Sequence, residues 1–458
     1  MKTGDDLHPA LAAIAAATLG TAFEGDLWLV GGAVRDELLG RPSKNDFDLV
    51  TRGSSADLAR MLFDKGVSPI APVIYERFGT AMVEAGEVKI EIVTARRESY
   101  ESESRKPNVE AATLEEDARR RDFTVNALLR NLHTGELFDP LGRGLSDLRA
   151  AVLRTPLDPS ETFHDDPLRM LRAVRFRWQL GFDPAHGLYE SIRSESHRLK
   201  IISAERIRDE LIRMLGLAHA ADALCDLMNL SLIHQFAPEF EAMRGVDQGH
   251  FHHLDVWDHT LLVVANAGNS DPILSLGALF HDIGKPTTRS VDREGHIRFF
   301  SHETVGAAMT NEILRRLKFP QRDVDAVALL VKNHMRLGSS PEFTPTAARR
   351  LLRDLGDEVE RLLDLVEADA NGLRPGVKVM DLAPIRRRLE EVRQATPRTS
   401  LESPLTGEDI MALLRIEAGP EVGRWKSFLT EKVIEGVLAP GDKQSARRIL
   451  AQARTSWG

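Results

Sequence analysis

Three groups of residues have types and spacings suited to chemistry. In Asp46-Phe47-Asp48-Leu49-Val50 two carboxylates alternate with apolar residues, and Gly31 and Gly32 stand shortly before them. Paired carboxylates offer hard oxygen ligands to Mg2+, and two glycines ahead of a helix let backbone N–H groups come close to a phosphate. Together they suit phosphoryl transfer, in which two metal ions activate an attacking oxygen and stabilise a leaving one. Glu91, in Val88-Lys89-Ile90-Glu91-Ile92-Val93, can join them as a third carboxylate. The second group is the arginines of Arg119 to Arg121 and Arg169 to Arg177, whose planar forks match phosphate oxygens. The third is a series of histidines and aspartates, His259, His281, Asp282, His302, His334 and Asp369, donors that suit one or two divalent metals acting on a phosphoester.

These residues need elements to position them. Leu27 to Val30 reads as a buried strand that enters a turn at Gly31 and Gly32, and Ala33 to Leu39 fits two turns of helix. Gly40 stops that helix, and Arg41-Pro42 cannot continue it. The period of two in Asp46 to Val50 predicts a strand with both carboxylates on one face. Ser54 to Lys65 reads as an amphipathic helix, and Thr80 to Glu84 and Val88 to Val93 as strands joined at Gly86. In the second of these strands, Glu91 shares its face with Lys89 and Val93. Arg96 to Glu116 is polar, contains Pro107 and has no sustained period, which predicts a mobile loop. From Phe163 the chain reads as helical. Asp166 and Arg169 are spaced as neighbours on one helix face, and Ser203 is placed to cap a further helix.

Gly31-Gly-Ala-Val-Arg-Asp36 followed by Asp46-Phe-Asp-Leu-Val50 resembles the nucleotidyltransferase superfamily, specifically the bacterial tRNA CCA-adding enzymes and poly(A) polymerases of class II. Arg120-Arg121-Asp122-Phe-Thr-Val-Asn126-Ala resembles the family's RRDFT-x-NA signature, and Phe138-Asp-Pro-Leu-Gly142 its hinge-like element. His164-Asp165-Asp166-Pro-Leu-Arg169 is similar to its base-selecting motif, with Asp165 where glutamate is usual. The resemblance implies that Asp46, Asp48 and Glu91 are catalytic, the aspartates holding Mg2+. It implies nucleotide binding by Gly31, Gly32, Arg35, Asp36, Arg120, Arg121, Asp122, Asn126, Asp165, Asp166, Arg169, Arg172 and Arg175. A full-length loop at 96–116 is, in such enzymes, what permits the switch from adding C to adding A. The third group resembles the HD phosphohydrolase superfamily, implying a divalent-metal site of unassigned metal at His259, His281, Asp282, His302, His334 and Asp369. His252 and His253 precede that series and read as surface residues.

The implied fold is α+β: a polymerase-β-like nucleotidyltransferase head at 1–150, then an all-α neck at 151–235, HD domain at 236–375 and tail at 376–458. The implied reaction adds CCA to a tRNA 3′ end from CTP and ATP. A poly(A) polymerase shares the head, but its usual arginine-rich continuation is not found after Phe78-Gly79-Thr80, and CC-only or A-only enzymes share the signatures. A phosphohydrolase whose head merely binds RNA is a further alternative, disfavoured by the three carboxylates. At 458 residues, 42% hydrophobic and 28% charged, the chain is neither disordered nor membrane-embedded, and a formal net charge of -9 argues against a protein coated in nucleic acid. Its single cysteine, Cys225, excludes an internal disulfide framework, suits a reducing cytoplasm and reads as a buried apolar side chain. Leu11 to Phe23 follows Asp5 and Asp6 and reads as a helix on the sheet, not a signal peptide. The partners implied are tRNA, CTP and ATP, with no membrane and no protein partner.

Overall fold

The computed structural model describes residues 7–42, 46–99, 108–249, 253–337, 343–374, 376–377, 379–395 and 401–457. By contact it divides into two units, Met1–Pro238 and Glu239–Gly458.

In the first unit, helix α1 (Pro9–Thr18) precedes strand β1 (Trp28–Val30), helix α2 (Gly32–Leu38), strand β2 (Asp46–Thr51) and helix α3 (Ser55–Asp64). Strands β3 (Val73–Tyr75), β4 (Thr80–Ala85), β5 (Val88–Thr94), β6 (Arg96–Ser99) and β7 (Asn108–Ala111) follow, then α4 (Leu114–Arg119), β8 (Leu129–Asn131) and β9 (Leu137–Phe138). Seven strands form one sheet in the order β3-β4-β5-β2-β1-β8-β9. Its pairs are antiparallel except β2 with β5, and that parallel pair sets Asp48 directly beside Glu91. Leu49, Ile90 and Ile92 on the other face are fully buried, and Leu58, Ala59 and Leu62 of α3 are buried where α3 meets β4 and β5. Apolar burial at about 25 cal/mol per Å2 therefore holds the strands in one register, and a one-residue slip would turn the carboxylates into the core.

Two expectations need correction. The first helix ends at Thr18, whose hydroxyl donates to the Ile14 and Ala15 carbonyls, and does not reach Phe23. The stretch read as a mobile loop is in part an antiparallel ribbon, β6 with β7 in the register Arg96↔Ala111 to Ser99↔Asn108, followed by α4. A capping box between Thr113 and Glu116 fixes the start of α4. The strands lack alternation, so period alone could not find them; their pairing satisfies the backbone instead. The remainder of that loop, 100–107, lies outside the described residues.

After α5 (Gly144–Ala150), short strands β10 (Val152–Leu153) and β11 (Asp183–Pro184) pair in parallel. Between and after them run α6 (Pro159–Asp165), α7 (Leu168–Leu180), α8 (Leu188–Glu195), α9 (Ala204–Leu215) and α10 (Ala220–Asn229). Ser203 does occupy the N-cap position of α9, although its hydroxyl makes no capping bond there. Cys225 on α10 is half-buried, where full burial was expected.

Among its described residues the second unit is helical apart from one ribbon. It comprises α11 (Val256–Ala267), α12 (Pro272–Phe280), α13 (Lys285–Thr288), the ribbon β12 (Arg289–Val291) with β13 (Ile297–Phe299), and α14 (His302–Arg316). Helices α15 (Gln321–Asn333), α16 (Pro345–Leu355), α17 (Val359–Ala370) and α18 (Ala383–Ala395) continue it. The last three, α19 (Gly407–Leu414), α20 (Pro420–Ile434) and α21 (Lys443–Trp457), share a core of Leu405, Ile410, Leu414, Trp425 and Leu429 with Leu450. His253 is exposed, as the sequence implies, and His252 lies outside the described residues.

Candidate functional site

The carboxylates of the head converge because of the sheet. Asp48 on β2 lies between Val30 of β1 and Glu91 of β5, and Asp46 precedes it by one strand repeat on the same face. Gly31, directly after β1, has φ +81° and ψ −139°, a conformation that L side chains rarely adopt. A Cβ there would stand 3.5 Å from Asp48 Oδ2, so glycine keeps the backbone open beside the carboxylate. Burial, and then the Glu91 carboxylate, push Asp48 up to about 6; Arg121 opposes this, Asp46 adds to it and Arg172 opposes it. This crowding of negative charge is what a divalent cation would relieve, so the residues fit Mg2+ or a similar ion. The three carboxylates are nonetheless not drawn into a group with all ligand atoms within 4.8 Å of one another, unlike the cluster of the second unit.

Around them runs a polar chain that crosses from head to neck. Arg35 of α2 donates through Nε and Nη2 to Asp36 and through Nη1 to Asn126 Oδ1 at 2.6 Å. Asn126 Nδ2 donates to Asp122 Oδ1 at 3.0 Å, and Arg172 of α7 donates to Asp122 Oδ2 at 2.5 Å. Burial opposes ionisation of Asp122, but Arg172 and the Asn126 amide outweigh it and hold the carboxyl at about 2. On α7, Arg175 donates to Glu210 of α9 at 2.6 Å, and its guanidinium lies 4.1 Å from the Phe176 ring centroid. Arg120 and Arg121 both grip Asp117, at 2.6 and 2.9 Å.

The positions expected to select the base are arranged differently from the helical pair that the spacing suggests. Asp166 has extended backbone, φ −140°, between α6 and α7, so it and Arg169 do not share a helix face. Pro167 imposes this, because the residue before a proline is kept out of the helical region. The Asp166 carboxylate accepts from the Leu168 N–H and pairs with Arg206 of α9 at 2.7 Å. Arg169 donates to the Thr162 and Arg120 carbonyls. Asp165 ends α6. Asp117 therefore makes contacts to which the sequence reading gave no role, whereas Arg206 and Glu210 belong to the Ser203 to Glu210 stretch that resembles the family's element supporting the base-reading helix, and they contact Asp166 and Arg175. For Asp117 a local signal existed, since it precedes Arg120 and Arg121 by three and four residues, one helix turn. Replacing Glu210 by Ala leaves Arg175 buried without its carboxylate and should destabilise the first unit by about 3–5 kcal/mol; a melting temperature within a degree of the parent would contradict this.

The second unit brings its whole series together. His259 lies on α11, His281 ends α12 with Asp282 after it, His302 begins α14, His334 ends α15 and Asp369 lies on α17. Asp282 belongs to two potential metal-holding groups, one with His259 and His281 and one with His302 and His334, and all five are buried; a third group, Asp292, Glu294 and His296, lies toward the surface. Asp369 Oδ1 is 3.0 Å from His259 Nε2 and 3.9 Å from His281 Nε2. Nδ1 of His281, His302 and His334 lies 2.7, 2.8 and 2.7 Å from the carbonyl oxygens of Ala278, Phe299 and Val331, each three residues back. Donation there puts the proton on Nδ1 and leaves Nε2 a bare acceptor aimed into the cluster. The Nε2 atoms of His302 and His334 then face each other at 3.2 Å, and His281 Nε2 makes no hydrogen bond. Opposed lone pairs of this kind need a cation, so the donor set fits a divalent metal. Without a metal, burial opposes charging His281 but the Asp282 carboxylate outweighs it and raises it; burial, and then the charge on His281, lower His334 to about 4, and His281 and Lys285 hold Asp282 well below the usual carboxylate range despite its burial, so a metal at His281 Nε2 would displace a proton there. Gly284 is obligatory, because a Cβ there would collide with the His302 carbonyl.

Residues 27–154 match the poly A polymerase head domain, 181–244 the probable RNA and SrmB-binding site of polymerase A, and 252–372 the HD domain. The chain is 35% identical to the A-adding tRNA nucleotidyltransferase of Deinococcus radiodurans, covering 92% of this chain and 94% of that one. It is 34% identical to the CC-adding tRNA nucleotidyltransferase of Thermus thermophilus, covering 93% of each. In fold it is similar to the Bacillus stearothermophilus CCA-adding enzyme crystallised with CTP, with a TM-score of 0.70 at 24% identity over 98% of this chain and 99% of that one. Likeness at this level along almost the whole length, with matches to head, RNA-binding and HD segments, means that the chain belongs to the tRNA nucleotidyltransferase family.

Proposed function

We propose that this enzyme completes the CCA end of tRNA, adding C, C and A from CTP and ATP. In each step the tRNA 3′-hydroxyl oxygen bonds to the α-phosphorus, the bond to the β-phosphate oxygen breaks, and pyrophosphate leaves. The observation that carries this reading is the in-register placement of Asp48 beside Glu91, with Asp46 on the same face and Gly31 adjoining. Mg2+ held by Asp46 and Asp48 would supply Lewis acidity to the phosphate oxygens. Gly31 leaves room for phosphate beside those carboxylates. Arg120 and Arg121, oriented by their shared bond to Asp117, present cationic forks to the triphosphate. Asp166, held by Arg206, and Arg169 offer the acceptor and donors that a pyrimidine or adenine edge requires. Head 1–150, neck 151–235, HD domain 236–375 and tail 376–458 are the working parts of this reading, and a cytoplasmic setting suits it. Among the described residues no helix is long and apolar enough to cross a membrane.

The first test supplies transcripts of one tRNA lacking CCA, ending in C and ending in CC, with CTP and ATP separately and together, and resolves products to the nucleotide. Growth that stops at CCA from every start is expected. Addition of A alone to the CC transcript would favour the narrower activity carried in the name of the Deinococcus radiodurans relative. Addition that stops at CC would favour the Thermus thermophilus pattern, and long ATP-only tails would make this a poly(A) polymerase.

The HD cluster favours a second activity, metal-dependent hydrolysis of phosphoesters. Three imidazoles with their Nδ1 atoms set against main-chain carbonyls, and a carboxylate common to both ligand groups, support it.

A further inference from the structure

One aromatic ring gathers arginines from the head and from the neck. Phe176 lies one helix turn after Arg172 on α7 and directly follows Arg175. Its ring centroid is 4.1 Å from the Arg175 guanidinium carbon, 5.3 Å from that of Arg172 and 5.2 Å from that of Arg35 on α2. Phe123, inside the Arg120 to Ala127 signature, packs against the same ring edge to face, with centroids 5.6 Å apart and planes at 80°. Phe176, Phe123, Arg35 and Arg175 are all buried. Each guanidinium has a carboxylate at its N–H edge, Asp36 for Arg35, Asp122 for Arg172 and Glu210 for Arg175. At Arg175 the carboxylate does not offset the crowding: burial pulls the group below its ordinary value, Glu210 opposes the fall and Arg172 adds to it. Cations that converge in this way repel one another, and water is not there to screen them.

We propose that Phe176 is a positioning residue for nucleotide binding, its ring holding the guanidiniums of Arg35, Arg172 and Arg175 together for the incoming triphosphate. The negative face of an aromatic ring offsets positive charge without taking up an N–H donor. A fourth carboxylate would occupy donors that phosphate oxygens need, and its charge would repel the triphosphate. An aliphatic side chain could fill the same space, but it carries no such face. The ring therefore lets three arginines share one site while their charge stays uncancelled for an anion. The inference rests on the nucleotide role proposed above for these arginines.

The test weakens the ring's negative face while keeping its shape. Phe176 is replaced in the full chain by singly, doubly and triply ring-fluorinated phenylalanine through stop-codon suppression, and binding of CTP and of ATP is measured by calorimetry with Mg2+ and without tRNA. The dissociation constants for both nucleotides should rise with each added fluorine, to about tenfold with three, and Phe176→Leu should weaken binding at least as much. Constants that stay flat across the fluorine series overturn the positioning role and leave Phe176 a packing residue, whatever Phe176→Leu does, because a purely steric role does not follow ring electronics. A rise for one nucleotide alone also overturns it, since the triphosphate is common to both. A parent that binds neither nucleotide refutes the nucleotide reading itself and the positioning role with it, whereas a parent that binds both beside a flat series refutes the role of Phe176 alone.

Discussion

Asp48→Asn should abolish nucleotide addition and at the same time raise the melting temperature of the metal-free protein at pH 8. Loss of a ligand that places positive charge on the transferring phosphoryl group removes several kcal/mol of transition-state stabilisation, about a 10^3-fold or greater fall in rate. The gain in stability has a separate cause. Asp48 is pushed up to about 6 by burial and by Glu91, whereas its ordinary value is 3.8. Between these values the folded chain holds a proton that the unfolded chain has lost, so stability falls as pH rises from about 4 to about 6 and stays lowered above that. The full penalty at pH 8 is at most about 3 kcal/mol, several degrees in melting temperature for a unit of this size. Asparagine cannot ionise and escapes it. The advantage of the variant should open between pH 4 and 6, then level off, and shrink when Mg2+ stabilises the parent. Melting curves of both proteins from pH 4 to 8 with EDTA check this. A variant no more stable than the parent at pH 8 would show that Asp48 is not the crowded carboxylate described here.

If the second unit holds a metal and hydrolyses phosphoesters as proposed, Asp282→Asn should lose both, while tRNA extension should stay within twofold of the parent. Asp282 has Oδ2 3.1 Å from His281 and 3.8 Å from His259, and Oδ1 3.5 Å from His302 and 3.8 Å from His334, so one carboxylate serves both ligand groups. Neither of its oxygens makes a hydrogen bond of good geometry, although Lys285 Nζ stands 2.6 Å from Oδ2. Alanine would leave Lys285 buried without its counter-charge, at a cost of about 3–5 kcal/mol, and confuse unfolding with loss of metal. Asparagine keeps the shape and an oxygen facing Lys285 Nζ, but it removes the same counter-charge, so the melting temperature of the variant is measured beside its metal content. Metal content after gel filtration is the direct readout, because it does not depend on knowing the substrate. Full retention of metal, or unaltered hydrolysis, would sink the assignment.

Both experiments depend on what neighbours do to a side chain. The types and order of the functional residues were legible in the sequence. The period of two put Asp46 and Asp48 on one face, Gly31 marked a conformation that needs glycine, and the histidines and aspartates of the second unit stood in the order in which the helices deliver them. Even the proton position on the imidazoles has a local cause, since each bonds a carbonyl three residues back. Where local pattern was the only guide it also misled. Spacing placed Asp166 and Arg169 on one helix, but Pro167 breaks that helix between them. Polarity and Pro107 suggested a loop where β6 and β7 pair.

By itself, then, the sequence determined which residues could bind phosphate or metal and along which element each would face, because strand and helix periods are properties of a few consecutive residues. Only the tertiary structure decided who meets whom. Glu91 stands beside Asp48 because β5 pairs in parallel, at an offset of 43 residues (91 − 48), with a strand earlier in the chain. Asn126 joins Arg35 to Asp122, Asp166 pairs with Arg206, and Asp282 bridges four histidines from four elements. Apart from Asn126 and Asp122, which are four residues apart, and the adjacent His281 and Asp282, these partners are separated by tens of residues, and no period of the chain encodes their meeting. It is set by burial of apolar faces on the far side of each element, and the charges are carried into contact by that packing.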